Sequence, residues 1–383
     1  MARVILDGGQ RGRPVVAPMN DKRKVRVNEN SAGPTRKSNR TKSHGRYDWS
    51  MTTVPPYRPA WFVPGRHLRT LWGKFVRHRP QVPMTIERWP TPDDDLLAIH
   101  RLRGAPDQPL LILLHGLEGS PNSHYARGLL ARAHALHWSA AAIVFRTCDG
   151  AINQVRRFYH SGETSDLDFV VRRLTSESPH TPIVLAGFSL GGNVLLKWLG
   201  ERGAGVPPAV RAAATVSVPY DLACGSRYIN QGFSRVYEQH FLRSLLRKTA
   251  LKRKRFPDIA PTANLVTLRT MWAFDDAVTA PIHGFHDARD YYERSSSLRW
   301  LSHIGVPTLL LSARDDPFLP AEVLDKVRDV ARQNPALHCE FVDYGGHVGF
   351  ISGSLPWRPL YWAEWRVMDF LSTQLQVKDA TLA

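Results

Sequence analysis

The 383-residue chain holds three cysteines, Cys148, Cys224 and Cys339. They are too few and too scattered for a disulfide scaffold or a thiolate metal cluster, so a reducing compartment, the cytoplasm, is the expected location. Long apolar runs are missing too. A run such as Pro109–Leu114 falls far short of the ~20 residues a membrane span needs. No apolar stretch follows the first charges, so no secretory signal is expected. Cys-x-x-Cys and His-Glu-x-x-His are absent, and His283 and His286 read as part of a polar loop. Neither a metal nor a cofactor is expected. There is no internal repeat and no nucleic-acid-binding motif, so no specific nucleic-acid partner is expected.

Acidic residues are scarce beside basic ones: 34 Asp and Glu face 51 Lys and Arg, a net charge of +17. The surplus is uneven, because residues 1–60 carry 13 basic and 4 acidic residues. The first 50 residues are rich in Gly, Asn, Ser, Arg and Lys, and cannot bury enough apolar surface to offset chain entropy. A disordered basic tail is expected over residues 1–55. Its runs Lys22-Arg23-Lys24 and Arg36-Lys37 could touch a polyanion, though a solvated tail is the plainer reading. Met51, followed at once by Pro55, Pro56, Tyr57, Trp61 and Phe62, is a second candidate start.

From Val82 onward the pattern is regular. Strands are expected at Met84–Trp89 and Leu96–Leu102 around a turn, then at Pro109–Leu114, Ala140–Arg146, Pro182–Ala186, Val210–Val218, Pro307–Ser312 and His338–Val342. Helices are expected at His124–Leu136, Asp166–Thr175, from Val194, from Ala321, and near Tyr361–Leu371. Short buried strands alternating with helices indicate an α/β fold with a mostly parallel sheet covered on both faces. One domain over residues 56–383 follows, with a helical, aromatic insertion at about 220–300 forming a cap.

Gly187-Phe188-Ser189-Leu190-Gly191 fits G-x-S-x-G between a strand and a helix, the context of a nucleophile elbow. Such a turn lifts the Ser189 hydroxyl out of the sheet, and small residues on either side let strand and helix approach. A serine needs a base, and the base needs an orienting acid. His347 stands in a glycine-rich loop after the last strand. Asp316 follows the strand before it, with Asp315 as the rival. His115-Gly116-Leu117-Glu118-Gly119 follows the first buried strand and offers a backbone N–H, that of Leu117, to pair with that of Leu190 in an oxyanion hole. His115 reads as a structural residue. The Tyr159–Asp166 stretch has no derivable role beyond lining a pocket.

These residues resemble the YheT-type branch of the α/β-hydrolase superfamily, which includes abhydrolase-domain phospholipases and monoacylglycerol-lipase-like enzymes. The marks are Pro64–Thr70, His115–Ser120, Tyr159–Asp166, Gly187–Asn193, Asp315–Phe318 and Gly345–Phe350. The resemblance implies Ser189, Asp316 and His347 as the triad. Two motifs depart from the branch. His67-Leu68-Arg69-Thr70 stands for His-x-Gln-Thr, and Val144-Phe145-Arg146-Thr147 for Asn-x-Arg-Gly.

The expected activity is hydrolysis of a small acyl ester, short- to medium-chain or lipid-like, through an acyl-enzyme. Acyl transfer and thioester hydrolysis use the same residues. Trp272, Phe274, Phe285, Tyr291 and Tyr292 suggest an apolar acyl pocket. A different class of function, a basic membrane-surface binding protein, is suggested by Arg243–Arg255. There Leu242, Leu245, Leu246 and Leu251 interleave with cations, as in a helix lying peripherally on an anionic inner membrane face. Oligomeric state cannot be read from the sequence.

Overall fold

The computed structural model describes residues 54–261 and 263–382, with side chains as far as Gln376. The tail expected over residues 1–55 and the candidate start at Met51 therefore lie outside the described residues, except Val54 and Pro55. Val54 packs on the core, and the Pro55 carbonyl accepts a hydrogen bond from Trp362 Nε1.

Eight strands form one sheet: β1 (Thr85–Pro90), β2 (Leu96–Leu102), β3 (Leu110–Leu114), β4 (Ser139–Ile143), β5 (Ile183–Phe188), β6 (Val210–Val216), β7 (Thr308–Ala313) and β8 (Leu337–Val342). Their spatial order is β1-β2-β4-β3-β5-β6-β7-β8. β4 through β8 pair in parallel, while β1 and β2 join antiparallel at one edge. The parallel part is buried on both sides, which explains its unbroken apolar runs. In β3, Leu110, Ile112 and Leu114 enter one core layer, while Leu111 and Leu113 enter the other.

The first layer is closed by α3 (Ser165–Glu177), α4 (Leu190–Arg202) and α10 (Ala321–Ala331). The second is closed by α2 (His124–Ala135) and α11 (Trp362–Leu382). Three elements differ from expectation. α4 starts at Leu190 rather than Val194, because the glycines before Val194 are needed at the turn and not excluded from the helix. α11 runs past Leu371 to Leu382. A helix that was not expected, α1 (Arg66–Phe75), carries the His67–Thr70 motif. A two-stranded ribbon, β9 (Ile351–Ser352) with β10 (Leu360–Tyr361), precedes α11.

Between β6 and β7 the chain is helical: α5 (Leu222–Ile229), α6 (Arg235–Arg253), the short α7 (Met271–Phe274) and α8 (Ala280–His283) around a π-turn, then α9 (Ala288–Ser295). The apolar side of α6 faces inward. Leu242, Leu245 and Leu246 pack in a cluster with Phe158 and Phe274. Three of its cations also turn inward. Lys252 is fully buried and donates to Asn153 Oδ1 and the Arg157 carbonyl, Arg253 donates to the Ile259, Ala260 and Ala263 carbonyls, and Lys248 pairs with Glu118. Arg243, Arg247, Lys254 and Arg255 remain exposed. No helix among the described residues is long and apolar enough to cross a membrane.

Candidate active site

β5 ends at Phe188 and α4 begins at Leu190, so Ser189 alone turns the chain from strand to helix. Its backbone stands at φ 52°, ψ −122°, a conformation that L-residues rarely adopt. The Ser189 N–H donates to the Val216 carbonyl at 2.9 Å. Glycine is required around it. A Cβ on Gly187 would lie 2.7 Å from the Gly191 carbonyl oxygen, one on Gly191 would lie 2.7 Å from that of Leu114, and one on Gly192 would lie 2.6 Å from Val218 Cγ2. The turn thus presents the hydroxyl above the C-terminal ends of the parallel strands, where ligands bind in open α/β sheets.

His347 Nε2 lies 2.9 Å from Ser189 Oγ, and His347 Nδ1 lies 2.8 and 3.1 Å from the two oxygens of Asp316. With the Nδ1 proton donated to Asp316, Nε2 is free to accept the serine proton. Both side chains are nearly buried, 10% exposed for His347 and 5% for Asp316. Phe318 stacks on the imidazole at 4.0 Å, and its N–H donates to Asp316 Oδ1 at 2.8 Å.

Asp315 is engaged differently. Its Oδ1 accepts the N–H groups of Gly345 and Gly346 at 2.7 and 2.8 Å, and its Oδ2 pairs with Arg69 at 3.3 Å. The loop that carries His347 rests on α1. Thr70 Oγ1 accepts the His347 N–H at 2.9 Å and donates to the Arg66 carbonyl at 2.8 Å. Gly346, at φ 64°, approaches so closely that a Cβ would lie 2.6 Å from the Arg66 carbonyl oxygen. Sequence reading missed this support. The pieces stand 277 residues apart, and only the Pro64–Thr70 motif hinted at it.

The loop after β3 is pinned from both sides. Gly116 N–H donates to Tyr125 Oη at 2.9 Å, and Glu118 N–H to Tyr159 Oη at 3.0 Å. Among the described residues no hydrogen bond engages the N–H of Leu117 or Leu190, and both residues line one cavity. Leu190 opens α4, so its N–H has no acceptor within the helix. A free donor at the N-terminus of α4, with another in the loop that lines the same cavity, suits a developing negative charge. His115 is structural: Nδ1 meets the Gly116 carbonyl at 2.8 Å, Nε2 accepts the Phe145 N–H at 3.1 Å, and burial pushes its pKa down to about 4.

Tyr159–Asp166 is a framework stretch. Tyr159 donates to Glu118 Oε1 at 2.6 Å, the Ser161 carbonyl accepts from Asn193 Nδ2 at 2.8 Å, and Asp166 pairs with the buried Arg146. Glu118 also accepts from Lys248 at 2.7 Å and from Ser244, tying α6 to the loop. The cavity beside Leu117 and Leu190 has apolar walls of Phe158, Leu245, Met271 and Phe274, and a polar end with His160, His283 and Asp275. Of the aromatics singled out in the sequence, Phe274 and Tyr291 line it, whereas Trp272, Phe285 and Tyr292 pack around Tyr291. His283 therefore faces the cavity rather than a polar loop. No cluster of metal-ligating side chains occurs among the described residues.

A mostly parallel sheet with a serine at the strand–helix turn and a histidine loop beyond the last strand is the architecture of the α/β-hydrolase class. A family model described as the alpha/beta hydrolase fold matches residues 109–354. The Escherichia coli (strain K12) protein named "Putative esterase YheT" is 38% identical over 328 residues, which span 83% of this chain and 95% of that one. Mouse phospholipase ABHD3 is 28% identical over 315 residues, covering 80% of this chain and 75% of the relative. The Pyrococcus furiosus esterase Pf2001 superposes with a TM-score of 0.52 at 18% identity, over 76% of this chain and 91% of that structure, a likeness of fold alone. The chain belongs to the α/β-hydrolase fold family and, within it, to the branch of YheT.

Proposed function

We propose that the protein is a serine hydrolase that cleaves carboxylic esters through Ser189, His347 and Asp316. The observation that carries this reading is the unbroken hydrogen-bond chain from Ser189 Oγ through His347 to Asp316, at a serine held on a strained turn. His347 Nε2 takes the hydroxyl proton as Oγ attacks the ester carbonyl. Asp316 keeps the imidazole in the required tautomer and stabilises its cation. The oxyanion rests on the Leu117 and Leu190 N–H groups, each such donor being worth ~3 kcal/mol in the transition state. His347 then protonates the leaving alkoxide, the alcohol departs, and a water deprotonated by His347 releases the acid from the acyl-serine. The helices between β6 and β7 serve as a cap, and the apolar walls of Phe158, Leu245, Met271 and Phe274 take an acyl chain. Three free thiols suit a reducing, cytoplasmic setting. Approach to an anionic membrane face belongs to the same proposal, carried by exposed cations such as Arg243 and Arg247 and not by the buried Lys252.

The test is a panel of acyl esters of graded chain length, run on wild type and Ser189→Ala, with fluorophosphonate labelling. The variant is expected to lose kcat by ~10⁴–10⁶ and to take no label. Hydrolysis retained at near the wild-type rate would sink the assignment.

A further inference from the structure

α1 meets the turn Gly232–Ser234 and the first half of α6 through side chains. His67 lies 4.6 Å from the Phe233 ring and 3.2 Å from Tyr237 Oη, and Lys74 Nζ lies 3.2 Å from His240 Nε2. This pair leaves large apolar side chains mostly to solvent: Phe75 is 72% exposed, Val76 and Val236 57%, and Phe233 53%. Exposed cations accompany them along the chain, with Lys74 beside Phe75, Arg235 beside Val236, and Arg243 and Arg247 further along α6. Acid is missing. No Asp or Glu occurs from residue 54 to 86, and the one acid of α6, Glu238, is buried and accepts the Met271 N–H. Scattered exposed apolar residues are ordinary. Several together, accompanied by charge of one sign, mark an interaction site.

The same face leads to the candidate site. Ring contacts step from His347 to Phe318 at 4.0 Å, from Phe318 to Tyr237 at 5.0 Å, and from Tyr237 to Phe233 at 5.9 Å. Exposed Phe233 thus ends a row of packed rings that begins at the imidazole, with Tyr237 buried in its middle.

We propose that the face formed by α1 and the first half of α6 docks on an anionic lipid bilayer, which places the site of Ser189 and His347 close to esters held in that bilayer. Apolar side chains entering the headgroup boundary and cations meeting anionic headgroups are the two terms of interfacial binding. What is reached there rests on the ester-hydrolase reading; the docking itself does not.

The test is cosedimentation of the full chain with vesicles of phosphatidylcholine, with and without about 30% phosphatidylglycerol. Binding is expected to rise at least about tenfold with the anionic lipid. It should fall at least about tenfold in the double variant Phe75→Glu, Val236→Glu, with the thermal midpoint held. Should that variant unfold, Lys74→Gln with Arg243→Gln replaces it, with about fivefold expected per cation. Ser189→Ala is expected to bind like wild type, which separates docking from catalysis. Binding that no substitution on this face weakens would come from elsewhere, such as the basic N-terminal residues, and would overturn the proposal. So would indifference to lipid charge. Loss of a solution dimer in the variants, with no vesicle binding in wild type, would reassign the face to a second copy of the chain.

Discussion

At the residue scale, two adjacent aspartates do different work. Asp316 meets the imidazole nitrogen, whereas Asp315 organises the loop that presents the imidazole. The two substitutions should therefore separate. Asp316→Asn leaves the shape and removes the charge, and kcat on a soluble ester should fall by ~10⁴. Asp315→Asn removes charge from the Arg69 pair and weakens the acceptor for two glycine N–H groups, so the loop loosens. A misplaced catalytic group costs about 10²-fold, and kcat should fall by that order while fluorophosphonate still labels Ser189. Equal losses in the two variants would contradict the division of roles. Sequence reading preferred Asp316, with Asp315 as the rival, but could not say what the rival does, since both follow β7. The division of roles depends on which carboxylate is turned toward Gly345, and that depends on α1, far away in the chain.

At the element scale, the buried strands were legible because a strand covered on both faces must be apolar throughout, and the serine turn because glycines leave a visible spacing. α1 was not read, although Leu68, Leu71, Trp72 and Phe75 fall at i, i+3, i+4 and i+7. Leu68 and Phe75 stay exposed, and the residues the helix buries are Arg69 and Gly73, so its inward face does not look like a core face in the sequence. α6 was legible as amphipathic, but not which of its cations are solvated. Lys252 finds its partners, Asn153 and Arg157, 99 and 95 residues earlier in the chain. The consequence is measurable. Lys252→Met leaves buried Asn153 Oδ1 without its donor, while the Arg157 carbonyl keeps that of Asn153 Nδ2, and should destabilise by about 1–3 kcal/mol. Arg243→Ala, on the solvated side, should stay within about 0.5 kcal/mol. Urea unfolding of both variants checks this, and an unaffected Lys252→Met would mean that the Lys252 hydrogen bonds add nothing to the hold on α6.

At the scale of the whole molecule, the surplus of positive charge is accompanied by histidines that folding keeps uncharged. Burial pushes His115 down to about 4, His124 to about 3 and His283 to about 4, and it lowers His160 as well. Unfolded, each would take a proton near pH 6.5. Between about pH 6.5 and 4 the unfolded chain therefore binds protons that the folded chain refuses, and stability falls as the pH drops. Asp275 works in the opposite direction. Burial raises its carboxyl to about 6, so within the same window the folded state holds one proton that the unfolded state has lost. His67, His100, His240 and His338 are lowered too, so the histidines outweigh Asp275 and unfolding takes up protons near pH 5.5, which gives a positive slope of unfolding free energy against pH. Urea unfolding between pH 5 and 6 should show that slope. Asp275→Asn removes the opposing group, so the slope should steepen by about one proton, and the variant should gain stability relative to wild type as the pH rises through 6. An unchanged slope would mean that water reaches Asp275 in the folded protein. A flat profile in wild type would mean that His115, His124, His160 and His283 titrate freely because water reaches them in the folded protein.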